Sequence, residues 1–339
     1  MLHNRQLFIH PSPSQPSRFV PIGGPARPPI LAAPRRAYSL SEAYALCEKL
    51  AHARHDGIPA ASRFVPAQKR PHLAAIYAFS RVATSFADDS QPPGQRHSAL
   101  DQWEDELIRT FHGEADHPLF VALRDTIERC DLPVTPFQDV IAACRMDLSP
   151  SLFATFDELR TYCRLRAEPI GQLVLGVFGY REPALLGFAG ELCTALSLTV
   201  FMQDLGRDLP RGRLMLPVED LRHFGVLPEG VRTAPASAHL LGASSRAWRD
   251  LLRFQVARAR ALLERGRPLI DRVGEDLRFE LLLTYGAGAA MLSKIEALAD
   301  GVLRERPTLS KADQARVLAR AAAHTLPKLA LVRGGDLLP

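Results

Sequence analysis

Cysteine is sparse in this chain and badly spaced for chemistry. The five cysteines, Cys47, Cys130, Cys144, Cys163 and Cys193, form no CxxC pair. An odd, scattered set argues against a disulfide framework and reads as reduced thiols of a cytosolic protein, used as small buried apolar residues. Aromatic residues make up only 7% of the chain, which argues against a β-rich binding module. No uninterrupted apolar run approaches the roughly 18 residues that span a bilayer, so an integral membrane protein is not expected. Acid is missing altogether from residues 1–37, which hold Arg5, Arg18, Arg27, Arg35 and Arg36. That stretch carries the whole net charge of +5, and the remaining 302 residues balance at 37 basic against 37 acidic. A balanced body has no global field for polyanions, so nucleic acid is not expected as a partner and any anion site has to be local.

What the chain does have is apolar, helix-forming sequence. Hydrophobic residues are 47% and charged residues 23% of 339 residues, enough for a packed core. Residues 1–37 contain eight prolines and no helical period, and are expected to be a disordered basic extension. Lacking acid and containing Ser and Arg, this extension is also compatible with a transit peptide, or with a misassigned start. From residue 38 to about 330 the pattern is helix after helix. Ser41-Glu42 opens the first. Arg70 to Asp89 reads as a long helix with Pro71 in its first turn. Thr135-Pro136 reads as a cap followed by a first-turn proline. Thr155 to Glu158 fits a capping box. Glu182-Pro183 opens a very apolar run to Asp208, residues 243–266 and 275–302 are two further long stretches, and Ser310 starts a last one. Almost nothing alternates with period 2, so the expectation is one all-α domain, a large bundle without a sheet.

Two places could carry chemistry. In Asp204-Leu205-Gly206-Arg207-Asp208, two carboxylates at i and i+4 share a helix face at the end of a buried helix. Oxygen ligands so placed suit Mg²⁺, which keeps waters and bridges to substrate phosphates. Arg211 and Arg213 follow, and guanidiniums beside carboxylates can take a diphosphate while the acids hold the metal. A surface acid pair with salt-bridging arginines is the plainer alternative. The second place is a polar stripe of Tyr77, Arg81, Thr84 and Asp88 on an otherwise apolar helix, where Arg and Asp need partners; a structural Arg81–Asp88 ion pair is the plainer alternative there. Two motifs are set aside: Gly286-Ala287-Gly288 lacks a strand and a third glycine and reads as close helix packing, and His52 with His55 lacks a third ligand.

At these residues the chain resembles the squalene and phytoene synthases. YAFSRVATSFADDS is similar to the family's first aspartate-rich region, FMQDLGRDLPRGRLMLPVEDLRHFGV to the second, and FATFDELRTYCRLRAEPIGQLVLGVFGY to the segment between them. KIEALADGVLRERPTLSKADQARVLARA is similar to the final helices. Within the family, IPAASRFVPAQKRPHLAAIYAFSRVA and CTALSLTVFMQDLGRDLPRGR resemble the bacterial hopanoid-pathway branch that converts presqualene diphosphate and water to hydroxysqualene and diphosphate. The resemblance implies an all-α isoprenoid synthase fold around a central cavity, a prenyl diphosphate substrate and Mg²⁺. It implies Asp88, Asp204 and Asp208 as metal ligands, Asp204, Asp208 and Tyr77 as catalytic, and Arg81, Gln203, Arg211, Arg213 and Phe153 as substrate-binding, with Phe153, Leu198 and Phe201 in the cavity wall. It also leaves room for peripheral contact with the inner face of the membrane and for contact with other enzymes of the hopanoid pathway. The chain departs from the pattern at Thr84 and Ser85, where the first region has its two leading acids, and at Phe153, Glu168, Val200 and Met215. The alternative these departures raise is a catalytically degenerate member that binds lipid or serves in assembly.

Overall fold

A computed structural model describes residues 37–52, 64–87, 93–148, 152–227 and 244–333. Among them there is no strand. The helices are α1 (Leu40–His52), α2 (Arg70–Ala87), α3 (Pro93–Phe111), α4 (Pro118–Cys130), α5 (Thr135–Met146), α6 (Phe156–Arg166), α7 (Glu168–Val177), α8 (Pro183–Gln203), α9 (Leu205–Asp208), α10 (Val218–His223), α11 (Ser245–Gly266), α12 (Pro268–Arg272), α13 (Glu275–Leu298) and α14 (Lys311–Arg333). Short 3-10 turns at Leu209–Arg211 and Ala299–Leu303 follow α9 and α13.

Local chemistry explains most of the boundaries. The Thr155 hydroxyl accepts from the Glu158 backbone N–H at 3.3 Å while Glu158 Oε2 accepts from the Ala154 N–H at 2.6 Å. This reciprocal arrangement starts α6, as the capping-box spacing implies. The same device starts α1 from Ser39 and Glu42, two residues ahead of the expected Ser41 start. Ser310 and Asp313 repeat it at the start of α14. Thr135 is not the cap of α5: Val134 takes that position and makes no side-chain cap bond, while Pro136 occupies the first turn.

Two buried clusters meet around the middle of the chain. One is built from α1 to α5 with part of α7, and centres on Phe79, Trp103, Phe120 and Phe137; Phe79 stacks on Trp103 and meets Phe137 edge-on, and Trp103 and Phe120 are tilted. The other is built from α6 to α13 around α8. Central α8 is apolar on all sides, because it packs on α6, α7, α11 and α13 together. Its single acid, Glu191, is paired with Arg160 at 2.5 Å and Arg265 at 3.1 Å. By length and composition α8, and the continuous segment Glu275–Leu303, are apolar enough to cross a membrane. This corrects the expectation that no stretch approaches that length: one paired Glu and small hydroxyl residues interrupt the run in sequence without making the helix polar. Half of the α8 window is buried inside the fold.

The glycines set aside as a nucleotide-motif decoy are packing residues. A Cβ on Gly288 would meet Leu196 Cδ2 of α8 at 2.8 Å, and one on Gly286 would meet Val317 Cγ1 of α14 at 3.0 Å.

Candidate active site

Between α2, α7, α8 and α13 lies a cavity of about 370 Å³. Leu73 and Tyr77, one turn apart on α2, form one wall, and Leu192, Leu196, Val200 and Phe201 on α8 form another. Leu277 and Leu281 of α13 close it. Its few polar residues are Tyr77, Arg166, Ser197, Glu280 and Thr284. Burial pushes the Tyr77 phenol well above its ordinary range, with the neighbouring Cys193 and Glu280 adding to the shift, so its hydroxyl stays protonated at any physiological pH.

A thread of charged groups runs from this cavity to the segment after α9. The thread begins at Thr84 on α2, whose hydroxyl donates to Ser80 O at 2.9 Å and accepts from Arg166 Nη1 at 3.2 Å. Arg166, the last residue of α6, lies 3.3 Å from Asp147 Oδ2. Asp147 caps the end of α5, is nearly buried, accepts from the Tyr162 hydroxyl at 2.7 Å and lies 4.0 Å from Arg213 Nη2. Arg213 in turn acts on Asp208. Burial raises the Asp208 carboxyl above its usual range; Arg213 opposes that shift and Asp204 adds to it. Burial disfavours charge on Arg166 too, but Tyr162, Asp147 and Cys144 outweigh it and hold the guanidinium protonated.

The acid pair itself sits at a helix break. α8 ends at Gln203, Asp204 has φ −96° and ψ 3°, and α9 restarts at Leu205. The Asp208 N–H still donates to Asp204 O at 2.9 Å, so the two carboxylates remain one turn apart. Gly206 is required there: a Cβ would meet the backbone oxygens of Leu303 at 2.6 Å and Val302 at 2.9 Å. Gly212, at φ 72°, turns the chain between Arg211 and Arg213. Asp204 accepts from Arg306 Nε at 2.6 Å and Nη2 at 3.4 Å, and from Arg207 at 3.5 Å.

Several expected residues lie elsewhere than the motif implied. Phe153 is a buried core residue 5.3 Å from the Tyr162 ring and does not line the cavity; nor does Leu198, whereas Phe201 does. Gln203 is buried with Nε2 donating to Pro307 O at 2.7 Å, so its amide fixes the segment before α14 instead of facing the cavity. Arg81 is half-buried on α2 outside the cavity lining, and Arg211 is exposed. Asp88 lies outside the described residues, as does His55. Of the departures from the motif pattern, Val200 lines the cavity, Met215 is core, and Glu168 accepts from Thr194 at 3.1 Å between α7 and α8. Sequence reasoning missed Asp147, Arg166, Glu280 and Arg306. Arg166 carried a signal, standing one helical turn after Tyr162 at the polar end of α6. Arg306 carried none, since it meets Asp204 across 102 residues.

Among the described residues no group of three or more His, Cys, Asp and Glu is arranged to hold a metal. The second acid pair nonetheless fits Mg²⁺, which needs one or two carboxylates when substrate phosphates complete its shell. Asp204 already attracts a cation, with Arg306 in that place, and the unfavourable Asp208 charge would be relieved by another. The Thr84 and Ser85 hydroxyls do not fit a metal. That of Thr84 is engaged with Ser80 and Arg166, and the Ser85 hydroxyl donates to Val82 O at 2.7 Å.

The comparisons agree with this architecture. Residues 53–313 match the family model of squalene/phytoene synthases. A phytoene synthase of Arthrospira platensis is 32% identical over 288 residues, covering 80% of this chain and 90% of that protein. The 15-cis-phytoene synthase of a Synechocystis strain is 31% identical, covering 76% and 78%. Among solved structures, the squalene synthase HpnC of Alicyclobacillus acidocaldarius superposes with a TM-score of 0.69 at 36% identity, covering 76% of this chain and 94% of that one. A dehydrosqualene synthase superposes with a TM-score of 0.72 at 22% identity, covering 85% and 98%, a likeness of fold alone. The fold is the all-α isoprenoid synthase fold, and the chain belongs to the squalene/phytoene synthase family.

Proposed function

We propose that this chain ionises a long prenyl diphosphate, presqualene diphosphate in the first place, and releases diphosphate with hydroxysqualene as product; squalene would form in its place only with a hydride donor such as a reduced nicotinamide. The observation that carries this reading is the apolar cavity of about 370 Å³ with Arg166 in its lining and a charged thread leading from Arg166 to the Asp204–Asp208 pair. A ligand with a long hydrocarbon body and an anionic head meets that description. A Mg²⁺ held by Asp204 and Asp208 would neutralise the leaving diphosphate.

The chain's own residues account for the rest. Arg213 and Arg211 hold the departing phosphates by charge-assisted hydrogen bonds. The C–O bond breaks with both electrons leaving on diphosphate, and a cyclopropylcarbinyl cation remains. The apolar walls exclude bulk water, and the faces of Tyr77 and Phe201 offer their negative quadrupole to the cation. Tyr77, protonated, orients a water molecule without removing its proton. The cation rearranges and its three-membered ring opens by breaking a ring C–C bond; that water then adds to the resulting allylic cation and releases its proton to solvent, giving hydroxysqualene. Entry from a lipid surface fits the same reading, since Phe64, 47% exposed, adjoins the cavity residue Val65. The sequence similarity of 36% to a squalene synthase and 32% to a phytoene synthase supports the substrate class.

The test is direct. Purified protein is incubated with Mg²⁺ and, separately, presqualene, farnesyl and geranylgeranyl diphosphate, and diphosphate and lipid products are measured. Hydroxysqualene from the first is the expected result. Phytoene from the last would reassign the substrate. No diphosphate release from any of them would leave a lipid-binding member of the family.

A further inference from the structure

Among the described residues, the α2 side of the site presents hydroxyls and a guanidinium where a metal would need carboxylates. Thr84 and Ser85 present hydroxyls, and Thr84 Oγ1 is 3.2 Å from Arg166 Nη1. Arg166 is the one guanidinium or ammonium in the cavity lining among the described residues. Its hydrogen bonds among those residues, to Thr84 and to Cys144 Sγ at 3.6 Å, come from Nη1 alone, as does its 3.3 Å approach to Asp147. Nε and Nη2 are thus left to address a ligand. Among the described residues, the carboxylate paired with Arg166 is that of Asp147, shared with Arg213 and the Tyr162 hydroxyl, so it does not neutralise both guanidiniums. A guanidinium on the edge of an apolar cavity, with two N–H-bearing nitrogens unspent and its neighbouring acids replaced by hydroxyls, is a site for a phosphate oxygen pair.

We propose that Arg166 binds the diphosphate head group directly, so that on the α2 side a fixed guanidinium stands in for metal, and divalent cation is needed only at Asp204 and Asp208. This rests on the prenyl diphosphate reading above, and extends it to how the head group is gripped. It makes diphosphate affinity partly independent of metal.

The test uses the full chain and inorganic diphosphate, titrated calorimetrically in EDTA and in Mg²⁺. Wild type is expected to bind in EDTA, and Arg166→Gln to weaken that binding by about tenfold or more, the loss of one bidentate charge-assisted contact. Arg166→Lys, keeping charge but not the fork, should fall between. Because Arg166→Gln strands the buried Asp147, the double variant Arg166→Gln with Asp147→Asn is run beside it with thermal melting of both; the same loss in a folded double variant supports the proposal. Equal affinity of wild type and the Arg166 variants in EDTA would overturn it, and so would wild-type binding that appears only with Mg²⁺. The two readings fail separately: diphosphate binding through Arg166 with no turnover of any prenyl diphosphate sinks the enzymatic reading alone, and turnover with no effect of Arg166 sinks this one alone.

Discussion

Asp204 is held by Arg306, and the same carboxylate is the best candidate for a metal ligand. The two uses exclude one another, so metal binding must displace or share a guanidinium. Removing the guanidinium leaves Asp204, one turn from Asp208, with only the longer 3.5 Å contact to Arg207 among the described residues. Arg306→Gln should therefore cost about 1–3 kcal/mol in EDTA, the usual penalty for stranding a charge-assisted partner, and Mg²⁺ with diphosphate should restore more stability to it than to wild type. Denaturant titrations with and without ligand check this; an equal ligand effect in both proteins would show that no metal reaches Asp204. Asp204→Asn should lower diphosphate release by about 10²-fold or more if the carboxylate anchors the metal. Thr84→Asp restores a family acid, and Arg166, already 3.2 Å from Thr84, would pair with the new carboxylate. The variant should fold with an unchanged or raised melting temperature and lose metal-independent diphosphate binding, since its own aspartate then occupies Arg166.

At the scale of the element, the site depends on how α8 ends. The helix breaks at Asp204 and the 3-10 turn Ala299–Leu303 lays its backbone directly on Gly206. Gly206→Ala would drive a methyl into the Leu303 carbonyl oxygen at 2.6 Å, where backbone cannot swing aside. A loss of about 1–3 kcal/mol is expected, along with weaker Mg²⁺-dependent diphosphate binding, because the same shift moves the acid pair; unchanged stability would show that the turn yields freely. Thr155→Ala, which removes the α6 cap, should cost about 1 kcal/mol in denaturant titration and leave the chemistry alone. These elements differ in how legible they were. Caps such as Thr155–Glu158 and Ser310–Asp313 are local hydrogen-bond chemistry, so spacing of a few residues revealed them. The acid pair and the Tyr77 stripe were visible because helical period puts them on faces. The break at Asp204 was not visible: it is set by Arg306, Pro307 and Leu303, about a hundred residues away along the chain, which grip Asp204, Gln203 and Gly206. Phe153 and Gln203 were misassigned for the same reason, since a motif gives identity but not the direction in which a side chain leaves its backbone.

For the molecule as a whole, the cavity lies at the seam of two cores, and its mouth sets where a water-insoluble substrate must enter. Val65 lines the cavity, and its neighbour Phe64 projects 47% exposed, its ring 4.7 Å from that of Phe279 on α13. α13 is apolar enough in composition to face lipid, and only 28% of its most apolar window is buried. An exposed Phe64 packed on a half-buried Phe279 beside an apolar cavity is the kind of patch that would dip into a bilayer surface. The five arginines of residues 1–37, uncompensated by any acid, would add an attraction to anionic head groups that salt screens. Two variants separate the contributions. Phe64→Ser should reduce co-sedimentation with phosphatidylcholine vesicles and raise KM for a prenyl diphosphate presented in them, while kcat with detergent-dispersed substrate and the melting temperature stay as in wild type. Replacing the five arginines of the extension by glutamine should leave binding to phosphatidylcholine unchanged and abolish the gain from adding phosphatidylglycerol. Vesicle binding that survives both sets of changes would place the lipid contact on another face. No binding by the unaltered full chain would mean that the substrate is delivered by a carrier, and the rim at Phe64 would then have to be its docking point or play no part in entry.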